Sequence, residues 1–184
     1  GNAKHSTSEN KIGGSSIAFD GSGDYLSIPQ TSDFDFGTSD YTLELWVMHS
    51  GSGTILHIEG TDQYGLYLAY EAGGGGKYRF SAGIISDWGP VLNYVVAADG
   101  SNWHHIAVVC NSGTTTLYYD GTSVASTTTV TDVAGNQGTS IIGGRYGGVA
   151  EWEGNIDELR ISNKARYTGN FTPSTSAFTS DKNT

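Results

Sequence analysis

The chain has almost no cysteine, with one residue, Cys110, among 184. An intrachain disulfide is therefore excluded, and because Cys110 stands in the apolar run IAVVC we expect a small buried thiol. Proline and methionine are also scarce, with three copies and one copy. The stability of the fold must therefore come from packing, with or without a bound metal ion.

Positive charge is scarce as well. Nine Lys and Arg residues stand against 19 Asp and Glu, which gives a net charge of −10 and a pI near 4.6. This balance opposes binding to nucleic acid or to an anionic membrane surface. Membrane insertion is not expected either, because no apolar run approaches the roughly 20 residues that span a bilayer.

Neither end of the chain has the pattern of a targeting segment. GNAKHSTSEN is neither a signal peptide nor an amphipathic helix, and SDKNT is equally polar. We interpret the chain as a single domain over residues 1–184, cut from a longer protein. Residues 1–14 and 179–184 are then terminal extensions or linkers to neighbouring modules of the same polypeptide.

Glycine and aromatic residues are abundant, with 27 Gly, 11 Tyr and 4 Trp. Aromatic and β-branched side chains suit a pleated sheet, and glycine suits tight turns. About a dozen short segments alternate between apolar and polar residues, and none keeps a helical period over three turns. The sequence predicts an all-β fold, an antiparallel two-sheet sandwich.

Three segments give more specific predictions. SSIAFDGSGDYLSIP is expected to form a hairpin around the turn DGSGD. YTLELWVMH carries bulky residues on both faces, which predicts a central strand. The pair Asp120-Gly121 between alternating residues predicts a two-residue hairpin turn with positive φ.

The stretch GNIDELRIS raises a question about Asp157. With the period of a strand, Asp157 points the same way as Leu159 and Ile161, toward the apolar face, while Glu158 and Arg160 share the other face. A buried unpaired carboxylate is unfavourable by several kcal/mol. Asp157 must therefore lie at a wet end of the strand, accept several hydrogen bonds, or bind a cation.

Six segments in order resemble a known family: FDGSGDYLSIP, DYTLELWV, WHHIAVV, LYYDGTSV, IIGGR and GNIDELRISNKARY. Together they are similar to the laminin-G/pentraxin-like branch of the concanavalin A-like lectin and glucanase superfamily, from Ile17 onward. The resemblance implies a jelly-roll sandwich of two curved antiparallel sheets. The closing RYTGNFTPSTSAF resembles modules of bacteriophage structural proteins, marine ones especially, which implies a virion-associated or extracellular protein.

The resemblance also implies a structural Ca²⁺ that ties the N-terminal strand to the last long strand. Asp157 is the matching acid, and Asp20 or Asp24 of the Gly-rich turn would supply a second carboxylate. Such hard oxygen ligands are those that calcium prefers. Two alternatives stay open: Asp157 accepts hydrogen bonds from backbone N–H groups, or it pairs with Arg160 or Arg145.

Catalysis is not expected. Retaining glucanases of this superfamily carry an E-x-D-x-x-E pattern on one strand, and the chain lacks it; Glu151 and Glu153 in EWEGNIDE are the only substitute. His104 and His105 are adjacent in a predicted strand and face opposite ways, so they do not chelate one metal ion easily. WHHIAVV is moreover a framework motif of the family that the chain resembles.

Carbohydrate binding is the predicted use of the surface, because sugars stack on aromatic rings and bond to polar side chains. Trp46, Trp103 and Trp152 match framework positions, whereas Trp88 stands in the loop-like SDWGP. The candidate glycan-binding residues are Trp88, Asp87, Asn93, Tyr64, Arg145 and Tyr146. The alternatives are an architectural domain of a phage tail or capsid that binds other proteins and no sugar and, with less support, a glycoside hydrolase.

Overall fold

A computed structural model describes residues 2–59, 64–73, 75–84, 91–96, 100, 102–128, 133, 138–145 and 150–184, with the backbone alone at 64, 82–84 and 91. The described strands are β1 (Lys4–Ser6), β2 (Ser16–Asp20), β3 (Leu26–Ile28), β4 (Tyr41–His49), β5 (Gly53–Ile58), β6 (Tyr64–Glu71), β7 (Lys77–Ile84), β8 (Val91–Val95), β9 (His104–Asn111), β10 (Thr114–Tyr119), β11 (Thr122–Thr127), β12 (Ser140–Ile142) and β13 (Glu153–Ser162). A 3₁₀ turn at Ser32–Phe34 is the helical structure of these residues, and no helix among them has the length and apolarity to cross a membrane.

The strands form two antiparallel sheets. The seven-stranded sheet has the order β1-β2-β13-β4-β9-β10-β11, and the six-stranded sheet has the order β3-β12-β5-β6-β7-β8. This architecture confirms the predicted all-β, two-sheet sandwich. It also confirms β4 as a central strand, since it lies between β13 and β9.

The hydrophobic core lies between the two sheets. Leu43, Leu45 and Val47 of β4 belong to the same buried cluster as Leu66 and Leu68 of β6. Because these residues alternate along each strand, the residues between them belong to the outer faces of the sheets. The core is therefore made from one face of each sheet, and any site must be sought on the outer faces, at the edges or in the connections.

The predicted hairpin over residues 15–29 is wrong. β2 pairs with β1 and β13 in the seven-stranded sheet, whereas β3 pairs with β12 in the six-stranded sheet. The connection DGSGD crosses from one sheet to the other, with φ of 76° at Gly21 and 72° at Gly23. A turn signal between two alternating segments does not reveal whether the segments pair with one another.

The predicted turn at Asp120-Gly121 is confirmed. β10 pairs with β11, and φ is 48° at Asp120 and 78° at Gly121. The Asp120 carboxylate also bonds back to β9, where Oδ1 accepts from His105 N and Oδ2 lies 2.8 Å from His104 Nδ1.

A β-bulge in β13 overturns the predicted orientation of Asp157. Asp157 faces Trp46 and Arg160 faces Glu44, so three steps along β13 correspond to two steps along β4. Glu158, at a φ of 50°, accommodates the extra residue. Asp157 therefore lies on the same outer face as Trp46, and Ile156 points into the core in its place.

Candidate ligand-binding face

The Asp157 carboxylate is held by backbone amides. Its Oδ2 accepts from Lys11 N and from Ile12 N, both at 2.9 Å. Arg160 does not pair with it, because the Arg160 guanidinium donates to Glu44 through Nε at 2.9 Å and Nη2 at 2.6 Å. Of the interpretations left open by the sequence, hydrogen bonding to backbone N–H groups is the one that the structure contains.

Asp20 and Asp24 lie together, but apart from Asp157. The pairing of Asp20 with Glu153 places Asp157 four residues further along β13, about 13 Å at the usual rise of a strand. One ion cannot bind both ends of that span. In the described part of the chain, no three His, Cys, Asp or Glu side chains are grouped so as to hold a metal ion.

The carboxylates of Asp20 and Asp24 converge on Asn2. Asp24 is buried and accepts from the backbone N–H groups of Asn2 and Asp20, which holds the pKa of its carboxyl below the ordinary value. With the Asn2 amide nitrogen turned toward the acids, it lies 2.7 Å from Asp24 Oδ1 and 3.1 Å from Asp20 Oδ2. The three side chains therefore form a compact polar group of two carboxylates and one amide.

The outer face of the seven-stranded sheet is covered by both ends of the chain. Lys11 places its Nζ 4.1 Å from the centre of the Trp46 ring. At the other end, Phe171 packs on Tyr118 and on His105, with ring centroids 5.4 and 5.6 Å apart. The first 14 residues, which were predicted to be an extension, contain β1. At the other end, residues 181–184 form hydrogen bonds with Asn163 and Arg166.

A buried charge network lies beneath this cover. Glu44 is fully buried and binds Arg160, and its Oε2 accepts from the Tyr167 hydroxyl at 2.7 Å and lies 3.4 Å from His105 Nε2. Burial raises the pKa of the Glu44 carboxyl, but the hydrogen bonds of His105, Tyr167 and Arg160 outweigh it and the net direction is downward. This network joins the C-terminal segment to the outer face of the seven-stranded sheet through the Tyr167 hydroxyl.

The outer face of the six-stranded sheet is more open. It carries the residues that alternate with the core residues of β5 to β8: His57, Tyr67, Ala69, Glu71, Lys77, Arg79, Ser81, Asn93 and Val95. Tyr67, Lys77 and Arg79 are half-buried, while Asn93 and Val95 are exposed. We call this set the polar face.

Charge on the polar face is paired. Glu71 binds Lys77 and Arg79, each at 3.0 Å. Burial raises the pKa of the Glu71 carboxyl, but Lys77 and Arg79 lower it by more, so the net shift is downward.

A depression of about 290 Å³ adjoins the ion pairs of Glu71. It is lined by Ser52, Gly53, Tyr67, Ala69, Tyr70, Glu71, Ala72, Gly73, Ala150 and Glu151. Two tyrosines, Tyr67 and Tyr70, thus line the depression, and its polar groups are mainly hydroxyls and carboxylates.

Only some of the sequence-predicted glycan-binding residues are described. Asn93 lies on the polar face, opposite Arg79. Arg145 is half-buried and near enough to His57 to lower the pKa of that imidazole. Tyr64 begins β6, where the backbone alone is described, and Trp88, Asp87 and Tyr146 lie outside the described residues.

Sequence reasoning missed Tyr67, Glu71 and Arg79. The sequence contains the pattern that could have identified them, because each residue stands between two apolar residues or at the end of an alternating run in GLYLAYE and KYRF. Period-two alternation places such residues on one face, but it does not say which face of which sheet stays open. Glu151, considered only as a catalytic substitute, lines the same depression.

Comparison with known proteins places this geometry in context. A structure of domain 4 of AbnA, an extracellular arabinanase from Geobacillus stearothermophilus, in complex with arabinotriose, matches 90% of this chain and 77% of its own, with 20% identity and a TM-score of 0.65. The native heptameric SAP-like pentraxin from Limulus polyphemus matches 83% and 77%, with 16% identity and a TM-score of 0.60. Domains LG4-5 of the mouse laminin alpha1 chain match 97% and 48%, with 19% identity and a TM-score of 0.63.

At these identities the similar structures show the fold alone. A search of curated protein sequences finds no match to this chain. A family model of laminin G domains, described as the concanavalin A-like lectin/glucanases superfamily, matches residues 20–168. The chain therefore belongs to the concanavalin A-like lectin/glucanases superfamily, as a laminin-G-like domain.

Proposed function

We propose that this domain is a non-catalytic carbohydrate-binding module and that its glycan lies on the polar face. The observation that carries the proposal is the contrast between the two sheets. The outer face of the seven-stranded sheet is sealed by the chain's own ends, whereas the polar face presents Tyr67, Arg79 and Asn93 beside a depression of about 290 Å³.

The chemistry of the depression suits a sugar. The flat C–H face of a pyranose or furanose packs on an aromatic ring, and its hydroxyls exchange hydrogen bonds with carboxylates and hydroxyls. Tyr67 supplies the ring, and Ser52, Glu71 and Glu151 supply the polar groups. The complex of the arabinanase domain with arabinotriose supports this use of the fold, although fold likeness alone does not transfer a ligand.

Glycan-array binding with paired tyrosine variants tests the proposal. Tyr67→Ala is expected to abolish glycan binding, since it removes the ring from the depression. Tyr25→Ala is the matched control, because Tyr25 is 47% exposed and lies outside the polar face. An array on which wild type and Tyr67→Ala give the same signals would contradict the proposed site.

Complete absence of glycan binding would favour the alternative, an architectural domain that binds other proteins in a larger assembly. Glycoside hydrolysis has less support, because the chain lacks the E-x-D-x-x-E pattern. The Glu153 side chain also lies against Gly21 and Gly51 rather than lining the depression that holds Glu151. Release of sugar from a polysaccharide, lost in Glu151→Gln, would overturn the non-catalytic assignment.

We further propose that Ca²⁺ binds Asp20 and Asp24 with the Asn2 amide oxygen. The convergence of these side chains supports it, and Asp157 is left out of the proposed site because it lies about 13 Å further along β13. Chelator should lower the melting temperature of the wild type, and Asp20→Asn should abolish that sensitivity. Asp157→Asn should destabilise the domain equally with and without chelator. Melting curves that do not respond to chelator or added Ca²⁺ would refute the calcium site.

The resemblance of RYTGNFTPSTSAF to phage modules supports a place in a larger surface or virion protein, outside the cell. Detection of the chain in purified virions by mass spectrometry tests this, and its confinement to the interior of the host cell would contradict it.

A further inference from the structure

Two carboxylates line the depression on the polar face, and their surroundings differ. Glu71 binds Lys77 and Arg79, each at 3.0 Å, so cations balance its charge. Glu151 is half-buried and, within the described part of the chain, forms neither an ion pair nor a hydrogen bond through its side chain. Its negative charge is therefore available to a ligand in the depression.

The backbone around Glu151 is held against the start of β5. Thr54 N donates to the Ala150 carbonyl oxygen at 2.7 Å. The Glu151 carbonyl oxygen lies so close to Gly53 that a β-carbon at Gly53 would be 2.1 Å from it. Glu153, two residues later, lies against other glycines outside the depression, so Glu151 is the acid of this segment that lines it.

The cations of the polar face lie on the other side of β6. Lys77 and Arg79 belong to β7, whereas the depression extends from β6 toward β5, where Ser52 and Gly53 line it. Among the described residues that line the depression, none is a lysine or an arginine. A ligand there meets the charge of Glu151 without a lining cation beside it.

This arrangement favours some chemical groups of a sugar and opposes others. A carboxylate is an acceptor alone, so hydroxyl and ammonium groups of a sugar can donate to Glu151. A carboxylate, sulfate or phosphate on the sugar cannot donate and carries the same sign of charge, which opposes binding. The net charge of −10 on the chain acts in the same direction at longer range.

We infer that Glu151 is a specificity-determining residue, which makes the depression select sugars that bear no acidic group. This inference rests on the proposed carbohydrate-binding function and deepens it, because it names the ligand class as neutral and amino sugars.

Matched sets of oligosaccharides test the selectivity by calorimetry. Each neutral oligosaccharide that binds on the glycan array is compared with two analogues. In one analogue the terminal hydroxymethyl group is oxidised to a carboxylate, and in the other a terminal hydroxyl is replaced by an amine. The acidic analogue should bind at least about tenfold more weakly than its neutral parent, and the amino analogue should bind at least as tightly as the parent.

Two variants separate the charge in the depression from the charge of the whole chain. Glu151→Gln removes the charge with little change of shape, and it should bring the affinities for the neutral and acidic sugars within about threefold of each other. Glu9→Gln changes the net charge by the same amount at an exposed residue outside the depression, and it should keep the wild-type ratio. Melting temperatures verify that both variants are folded.

Salt dependence of the wild type gives a second measurement, which needs no variant. Raising the salt concentration from about 0.01 M to about 1 M shortens the Debye length from about 30 Å to about 3 Å. The ratio of neutral to acidic affinity should therefore fall.

The outcomes separate the selectivity from the function. Equal or tighter binding of the acidic analogues, weaker binding of the amino analogues, or a ratio that neither Glu151→Gln nor salt reduces would overturn the role of Glu151 while leaving carbohydrate binding intact. The same loss of selectivity in Glu9→Gln would also overturn it, because net charge would then be the cause. Failure of every glycan on the array would overturn both proposals.

Discussion

Acid should destabilise this domain through His57. The imidazole is buried without a hydrogen-bond partner, and burial with the nearby Arg145 lowers its pKa from 6.5 to about 4. Between these values the unfolded chain binds a proton that the folded chain does not, so unfolding takes up a proton. The stability is therefore complete above pH 6.5 and is lost as the pH falls toward 4.

The magnitude follows from the size of the shift. At about 1.4 kcal/mol for each pKa unit, the full effect is about 3 kcal/mol. About half of it should be lost by pH 5.5 and about 2.5 kcal/mol by pH 4.5. Since domains of this size are stable by roughly 5–15 kcal/mol, this loss is large enough to measure accurately.

Urea unfolding of the wild type and of His57→Phe at pH 7.5, 6.5, 5.5 and 4.5 isolates the contribution of this one residue. The difference in free energy of unfolding between the two proteins should change by about 2.5 kcal/mol over the series. The other titratable groups are present in both proteins, so their contributions cancel in this difference. His5→Phe is the matched control, because it removes an exposed histidine rather than a buried one. A constant difference for His57→Phe would show that His57 titrates normally and would refute the reasoning.

Two further predictions concern the covered face of the seven-stranded sheet. In Gly121→Ala the new β-carbon would lie 1.9 Å from the Phe171 carbonyl oxygen. We therefore expect about 1–3 kcal/mol more destabilisation than in the control Gly23→Ala, where φ is also positive but no atom lies within 4 Å of the new β-carbon. Urea unfolding and proteolysis of the C-terminal segment measure the destabilisation, and equal losses of stability in the two variants would contradict the prediction. Glu44→Gln should destabilise by about 3–5 kcal/mol because it breaks a buried charge network, whereas Glu71→Gln, at a half-exposed pair, should lose under about 1 kcal/mol. Similar unfolding free energies for the two variants would show that the network is dispensable.

The choice of the polar face as the proposed binding face depends on what the chain ends cover. Phe171 and Tyr167 stack with centroids 3.5 Å apart, and together with Ala107, Val109 and Tyr118 they form a second apolar cluster outside the main core. A face covered in this way is part of the stable body of the domain. The polar face is the one we propose for recognition, because Tyr67, Glu71, Lys77 and Arg79 are half-buried there and Asn93 and Val95 are exposed.

Local pattern was enough to predict the fold class. Alternation with a period of two, glycine between segments and the lack of helical periodicity are properties of neighbouring residues, and they correctly indicated an antiparallel sandwich with β4 at its centre. The turn at Asp120-Gly121 could be predicted for the same reason, since its positive φ values depend only on the types of two adjacent residues.

Tertiary structure alone decided which faces meet. Strand alternation predicted the wrong face of the sheet for Asp157. The extra residue of the bulge, Glu158, shifts the alternation of side chains along β13, and the bulge is visible only in the pairing of β13 with β4. Alternation could not show that β2 and β3 enter different sheets, nor that Phe171 returns to cover His105. Sequence determines how each segment can turn and alternate, whereas burial of a particular side chain depends on distant segments that arrive only when the chain is folded.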